Sequence, residues 1–423
     1  MADPRPYDLV VFGATGFTGQ FVVDEVAKVA EEEGGLSWAV AGRNMEKLQT
    51  VLVQSSERTG KKVEDKPIII ADVSSYQSLL DMSQQTKVVL NCVGPYRFHG
   101  EQVVKACIEG GANCVDISGE PQFLEKVQLL YSAKAKEANV YVVGSCGFDS
   151  IPVDMGVHFT RKNFKGDLNS VEGYLTLKGG EDGIAFNYAT FESAVYGFAY
   201  ASELANIRKS LFPDPMPRSA HRVPKRYFPF YKEDLKKWCL PFPSSDRSVV
   251  ARSQRYFYDK QRQRPVQFVP YICEASLFRT ICYVLFSIIF AIMSYFSVTR
   301  SVLLKFPQIF TAGMFKKDGP SLKQIKESSF SWTLFGSGYS EPLQTLMFSI
   351  RKSLIRQLQS LSVDQRLAMS PPICMVQSAM VLLKEKERIP KEGGVYTPAA
   401  VFGDSSLVKR LDKHEVTFQV HEQ

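Results

Sequence analysis

At 423 residues, with 45% hydrophobic and 22% charged side chains, the chain exceeds the roughly 250–300 residues that one core serves, so two domains are expected. That balance argues against a disordered chain and against one embedded throughout in a membrane. The net charge of +7 is local: residues 208–264 hold fifteen Lys or Arg against five Asp or Glu, and the rest of the chain is mildly acidic.

Residues Met1 to Pro6 carry no signal or transit pattern, and the eight scattered cysteines form no Cys-x-x-Cys pair and have no histidine at zinc spacing. A reducing compartment, no metal site and no disulfide framework are the expectations. From Tyr7 to Ser145, apolar runs (LVVFG, LSWAVAG, IIIAD, KVVLNCVG, NCVDIS, VYVVGS) alternate with helix-like stretches. This is the rhythm of a doubly wound parallel sheet of the Rossmann type, whose strands read almost purely apolar because helices cover both faces. In the first helix Phe17, Phe21, Val22, Val26, Val29 and Ala30 share a face, and Glu31 to Gly35 closes it.

After Gly147 the rhythm changes. Stretches such as VEGYLTLKGG and VVARSQRYFYD read as the strands and loops of a second, α+β domain. The expected division is 1–147 for the dinucleotide-binding domain and 148–370 for a substrate and membrane-associating domain carrying a long apolar helical segment at 280–299. Residues 371–423 are expected to form a helix and strands that pack back on the front domain.

The glycines of Gly13-Ala14-Thr15-Gly16-Phe17-Thr18-Gly19 lie where the first strand turns into the first helix. There a tight turn, a close approach to a pyrophosphate at the positive helix end, and close helix–strand packing each need a small residue. The spacing is one residue longer in its first gap than Gly-x-Gly-x-x-Gly. Arg43 stands where an NAD site carries an acid on the ribose, so a 2′-phosphate and NADP are favoured over NAD, with Lys47 one turn on assisting; stacking on adenine or a place in solvent is the alternative for Arg43. Asp72 is placed to cap the next helix or to accept from the adenine amino group. Asn91, Gly94 and Pro95 end the fourth strand, on the nicotinamide-ribose side.

These residues, with GATGFTG at 13–19, AGR at 41–43, NCVGPY at 91–96, DISGE at 116–120 and GFDSIPVD at 147–154, resemble the saccharopine dehydrogenase-like oxidoreductases over about nine-tenths of the chain. The resemblance implies a Rossmann domain joined to an α/β substrate domain, and a superfamily that includes saccharopine reductases and lipid-acting enoyl reductases. It also implies association with lipid droplets, cytosol-facing membranes or mitochondria, and a grouping with glycolipid metabolism. It does not imply turnover of saccharopine, because no set of arginines placed for a dicarboxylic amino acid is evident. The chain departs from the family between Glu341 and Ser370, where Leu343, Leu346, Met347, Ile350, Leu354, Leu358 and Leu361 share a helical face instead of forming the expected strands.

If hydride is transferred, the chain must orient the acceptor and manage one proton. Tyr96, Glu120 and Asp149 follow the fourth, fifth and sixth strands and are the candidates; a wall position, a helix cap and a turn cap are their respective alternatives. The twenty uncharged residues from Thr280 to Thr299 could span a hydrocarbon core of about 30 Å. A hairpin or in-plane insertion anchored by Arg279, Arg300 and Lys305 fits better than a crossing, and a buried core helix is the alternative. The basic stretch before it lacks any nucleic-acid-binding pattern and suits an anionic membrane surface, against the alternative of a solvated loop. The expected function is an NADP-dependent reductase of a lipid-like substrate. A non-catalytic lipid-droplet surface protein that retains the dinucleotide fold is the rival, and a soluble saccharopine-pathway enzyme a third reading.

Overall fold

The computed structural model describes residues 5–339, 355–367 and 369–422. From the N-terminus, β1 (Tyr7–Phe12), α1 (Phe17–Glu32), β2 (Trp38–Gly42), α2 (Met45–Thr59), β3 (Ile68–Ile70), α3 (Tyr76–Gln84), β4 (Thr86–Asn91), α4 (Tyr96–Gly110), β5 (Asn113–Asp116), α5 (Pro121–Glu137) and β6 (Tyr141–Val143) alternate strictly. There follow α6 (Ile151–Asn163), β7 (Asp167–Lys178), β8 (Phe186–Asn187), α7 (Tyr188–Ala199), α8 (Glu203–Leu211), β9 (Phe230–Lys232), β10 (Lys237–Pro241), α9 (Asp246–Gln261) and β11 (Gln267–Glu274). The apolar segment forms α10 (Leu277–Tyr295) and α11 (Ser297–Lys305), followed by α12 (Pro307–Phe310), β12 (Phe315–Lys316), α13 (Leu322–Glu327) and β13 (Ser329–Tyr339). The chain closes with β14 (Ile355–Arg366), α14 (Ser370–Lys384), β15 (Gly394–Tyr396), α15 (Pro398–Phe402), α16 (Leu407–Lys413) and β16 (Thr417–Glu422).

Two compact units result, one made of Met1–Phe148, Glu203–Leu211 and Met369–His414, the other of the remaining segments. In the first unit seven parallel strands run in the order β15-β6-β5-β4-β1-β2-β3. The order reverses between β1 and β4, and this switch point opens the crevice in which Rossmann sheets take their ligands. Val10, Val11, Ala39, Val40, Val89 and Leu90 have no exposed surface, as expected of strands covered on both faces. The helix α1 packs on α2 and α14, and α4 packs on α3 and α5.

The second unit is built on a mixed sheet, β16-β14-β13-β7-β11-β10-β9, in which β7 and β11 are parallel and the other neighbours antiparallel. Against it lie α6 and α9. Separately, Phe191 of α7 and Phe290 of α10 meet edge to face at 5.6 Å.

Three expectations are corrected here, and one alternative is set aside. VVARSQRYFYD, read among the strands and loops of the second domain, lies within the helix α9. There Val249, Val250, Ser253 and Phe257 are buried, so tertiary packing overrides local propensity. The helical reading of 341–370 fails over 355–366, which is β14, paired to β13 on one side and β16 on the other. Ser360 to Asp364 alternates polar and apolar with period two, and two open strand edges supply partners for its backbone. The first part of that reading falls outside the described residues. Residues 371–423 do not pack as one segment: α14, β15 and α16 join the first unit, whereas β16 joins the second sheet. Nor is the apolar segment a buried core helix, since only Thr280, Phe290 and Ser294 of α10 are buried.

Candidate functional site

The chain leaves β1 through Gly13, whose φ of +83° is left-handed and whose N–H donates to Ala41 O at 2.9 Å. A Cβ there would lie 2.7 Å from Val93 Cγ2 and 3.2 Å from the Cys92 carbonyl carbon, so only glycine lets the turn lie against the end of β4. At Gly19 a Cβ would meet Gly13 O at 2.2 Å, which brings α1 close beneath the loop. Gly16 is the N-cap of α1, and no side chain caps it. The first N–H groups of α1 and the positive end of its dipole thus face out beside exposed Thr15 and Gly16. Ala14 is buried beneath the turn, with Phe17 and Thr18 half-buried at the helix start. This cradle fits a pyrophosphate.

Arg43 and Lys47 are exposed beyond β2, where Asn44 caps α2 by accepting from Lys47 N at 2.9 Å. After β3, Asp72 Oδ1 accepts from Ser74 N at 2.8 Å. The Ser74 backbone and hydroxyl, opposed by burial and assisted by the charges of Arg43 and His99, hold the Asp72 carboxyl below its usual range. Of the two roles expected of Asp72, capping α3 belongs instead to Ser75. Asp72 orders the turn ahead of it.

At the end of β4, Asn91 is fully buried, and its Oδ1 accepts from Val93 N at 3.1 Å. Its Nδ2 has no hydrogen-bond partner. A buried orphan donor at the sheet's ligand-binding edge is the mark of a position that a ligand or water completes. Gly94 and Pro95 lead into α4, and Pro95 is its N-cap, with no side-chain cap of its own. The cap arrives from across the sheet: Glu120 Oε1 accepts from Tyr96 N at 2.9 Å and Oε2 from Arg97 N at 3.0 Å. Tyr96 donates its hydroxyl to Asn91 O at 2.8 Å and accepts from Ile117 N at 3.4 Å. Burial, reinforced by Asp116, pushes its phenol well above the ordinary value. The structure brings Tyr96 and Glu120 together, and the backbone groups that each one bonds give both a bracing role.

A residue that the motif reading missed is Asp116 at the end of β5. Its buried Oδ1 accepts from Ser118 N at 2.9 Å and Ser145 N at 3.0 Å, and its carbonyl from Cys146 N at 2.6 Å. Ser145 takes a left-handed φ of 62° there and donates its hydroxyl to Ser118 O at 2.9 Å. The Asp-x-Ser spelling of a side-chain turn was the available signal.

Asp149 opens the second unit. Ser150, not Asp149, is the N-cap of α6. Asp246, in the first turn of α9, is buried; its Oδ2 accepts from Ser244 Oγ at 2.6 Å, and Ser245 Oγ donates to Asp149 O at 3.2 Å. Burial pushes the Asp149 carboxyl up to about 6. Burial first, and then the neighbouring charges of Asp149 and Asp154, push Asp246 well above the carboxylate range. Both carboxyl groups are thus held above the ordinary carboxylate range. Among the described residues no cluster of His, Cys, Asp and Glu could hold a metal ion.

Residues 9–143 match the model of the saccharopine dehydrogenase NADP binding domain. A human protein named saccharopine dehydrogenase-like oxidoreductase is 44% identical over 99% of this chain and 98% of its own. The chain belongs to the saccharopine dehydrogenase-like oxidoreductase family. A Caenorhabditis elegans member named lipid droplet localized protein is 40% identical over 98% of both chains. The fold is shared with a saccharopine dehydrogenase (L-Glu forming) from Saccharomyces cerevisiae, at a TM-score of 0.57 and 13% identity over 99% of this chain and 100% of that one.

Despite the family's name, two of the three cations around one cavity of the second unit are paired within the chain. A cavity of about 200 Å³ is lined by Arg222, Arg226 and Lys232. Arg226 is already paired with Glu172 at 2.6 Å and Lys232 with Asp234 at 2.5 Å.

Proposed function

We propose that the protein is an NADP-dependent oxidoreductase that acts on a lipid-like substrate while seated in the plane of a lipid-droplet or membrane surface. The observation that carries this reading is the exposed apolar stripe of α10. Phe278, Ile281, Leu285, Ile288, Ile292 and Tyr295 recur every three or four residues and are 46–75% exposed. Half-covered side chains of this size gain roughly 1 kcal/mol each on leaving water, so the stripe supplies several kcal/mol toward a lipid phase. Arg279, Arg300 and Lys305 flank it at headgroup positions. A crossing is disfavoured, because β11 before α10 and β13 after it both pair with β7 in one sheet. The name of the C. elegans relative supports the same surface.

The bound dinucleotide supplies the hydride. The residues of this chain have other tasks. Gly13, Gly16 and the start of α1 receive the pyrophosphate, Arg43 and Lys47 meet the 2′-phosphate, and Asn91 offers its unpaired amide. Gly94, Pro95, Tyr96 and Glu120 hold the loop beside it. The bracing roles of Tyr96 and Glu120 favour, as a second reading, a lipid-surface protein that binds the dinucleotide without turnover.

The test is a fluorescence titration of NADPH and NADH onto the full chain and its Arg43→Ala variant. Loss of a charge-assisted phosphate contact weakens NADPH by about tenfold or more and leaves NADH unchanged. Failure of the parent protein to bind either nucleotide would sink the enzyme reading.

A further inference from the structure

We propose that Cys239 and Cys273 form a modification site, a thiol pair that a hydroperoxide converts into an intrachain disulfide. The two residues are direct partners on the antiparallel strands β10 and β11, and their Sγ atoms lie 2.7 Å apart. Opposed residues of an antiparallel pair have Cα atoms about 4.5–5.5 Å apart, inside the span of about 4.4–6.8 Å that a disulfide bridges. The backbone is therefore already in register, and only the side-chain torsions must adjust.

The surroundings differentiate the two thiols. Both sit in a buried cluster with Tyr174, Tyr271 and Phe335, which keeps each sulfur facing the other. Cations border that cluster: the Arg226 guanidinium is 4.3 Å from the Phe230 ring and Lys232 Nζ is 4.8 Å from the Phe335 ring. The hydrogen bond with Cys273 holds the Cys239 thiol below its ordinary value, opposed by burial and assisted by Lys237. The same hydrogen bond, with burial, raises Cys273. Lys237 and Cys239, two residues apart on β10, share one face of that strand, which makes Cys239 the attacking thiol and Cys273 the resolving one.

In the first step the Cys239 thiolate attacks the terminal peroxide oxygen. The O–O bond breaks, and the leaving alkoxide takes up the proton released when the Cys239 thiol ionised, giving an alcohol and a sulfenic acid. Cys273 then attacks that sulfur, the S–S bond forms, and water leaves. Two thiols are oxidised and one hydroperoxide is reduced to alcohol and water. Small hydroperoxides, including those formed from unsaturated acyl chains, are the co-reactant class. The bridge closes the loop that contains α9 and ties the β9–β10 edge to the sheet.

The experiment treats the full-length protein in detergent micelles with tert-butyl hydroperoxide, alkylates free thiols, and maps non-reduced tryptic peptides by mass spectrometry. The peptide containing Cys239 is expected linked to the one containing Cys273, lighter by two hydrogens and restored by dithiothreitol. A Cys282→Ser background removes the exposed thiol without altering that yield. In Cys273→Ser the link vanishes and a dimedone-reactive sulfenic acid remains at Cys239, a readout that mere misfolding does not give. Recovery of both thiols alkylated while Cys282 is oxidised, or a bridge that uses any other cysteine, overturns the assignment.

Discussion

At the scale of single residues, backbone geometry constrains the proposed site more tightly than side-chain chemistry does. Gly13→Ala combines a left-handed φ with a Cβ 2.7 Å from Val93 Cγ2. It should cost roughly 1–3 kcal/mol, seen as a lowered thermal midpoint, and should abolish NADPH fluorescence enhancement. Glu120 distinguishes bracing from chemistry. Glu120→Ala strips the cap from α4 and leaves two N–H groups without their acceptor, at a cost of about 1–3 kcal/mol. If Glu120 were instead the proton donor, stability would hold and turnover alone would fall. The glycine loop, Arg43 and Asn91 were legible because their places follow strand ends in the sequence. The bracing of Tyr96 by Asn91 O and the triple acceptance by Asp116 were not, because each joins loops that only the folded sheet brings together.

At the scale of elements, α16 is tied to α1 by charge. His414 Nδ1 lies 2.7 Å from Glu25 Oε1, and hydrogen bonding to Glu25, opposed by burial, raises the imidazole above its ordinary value. A raised histidine contributes stability that is full below its unfolded value of about 6.5 and is lost as pH rises through the folded value. The thermal midpoint of the first unit should therefore fall as pH is raised from 6 toward 8, and His414→Gln should flatten that slope. The stripe on α10 makes the opposite kind of prediction, since Ile288 and Ile292 are 52% and 57% exposed. Ile288→Glu with Ile292→Glu should change the unfolding free energy by no more than about 1 kcal/mol and abolish flotation with phospholipid vesicles. Retained flotation would remove α10 from the lipid-seating proposal. The helix itself was readable from twenty uncharged residues. Its break at Phe296, where ψ is 134°, was not, because no proline or glycine marks it.

At the scale of the whole molecule, the C-terminal residues are shared between the units: α14, β15 and α16 serve the first, and β16 covers the outer edge of β14 in the second. Truncation after Val416 should expose that edge, lower the unfolding midpoint of the second unit and promote self-association through the open strand. NADPH binding should persist, because β1 to β4 and their loops are untouched. Coincident loss of both would show that the units unfold as one.

The sequence by itself determined the parallel sheet, the glycine turn, the place of Arg43 and the apolar helix, since each rests on local spacing or on side-chain size at a strand end. Only the tertiary structure decided that residues 355–366 extend rather than coil, that VVARSQRYFYD is helical, and that Glu120 caps α4. It also set Cys239 opposite Cys273. These outcomes depend on which distant backbone groups and faces need partners, a quantity that no window of neighbouring residues contains.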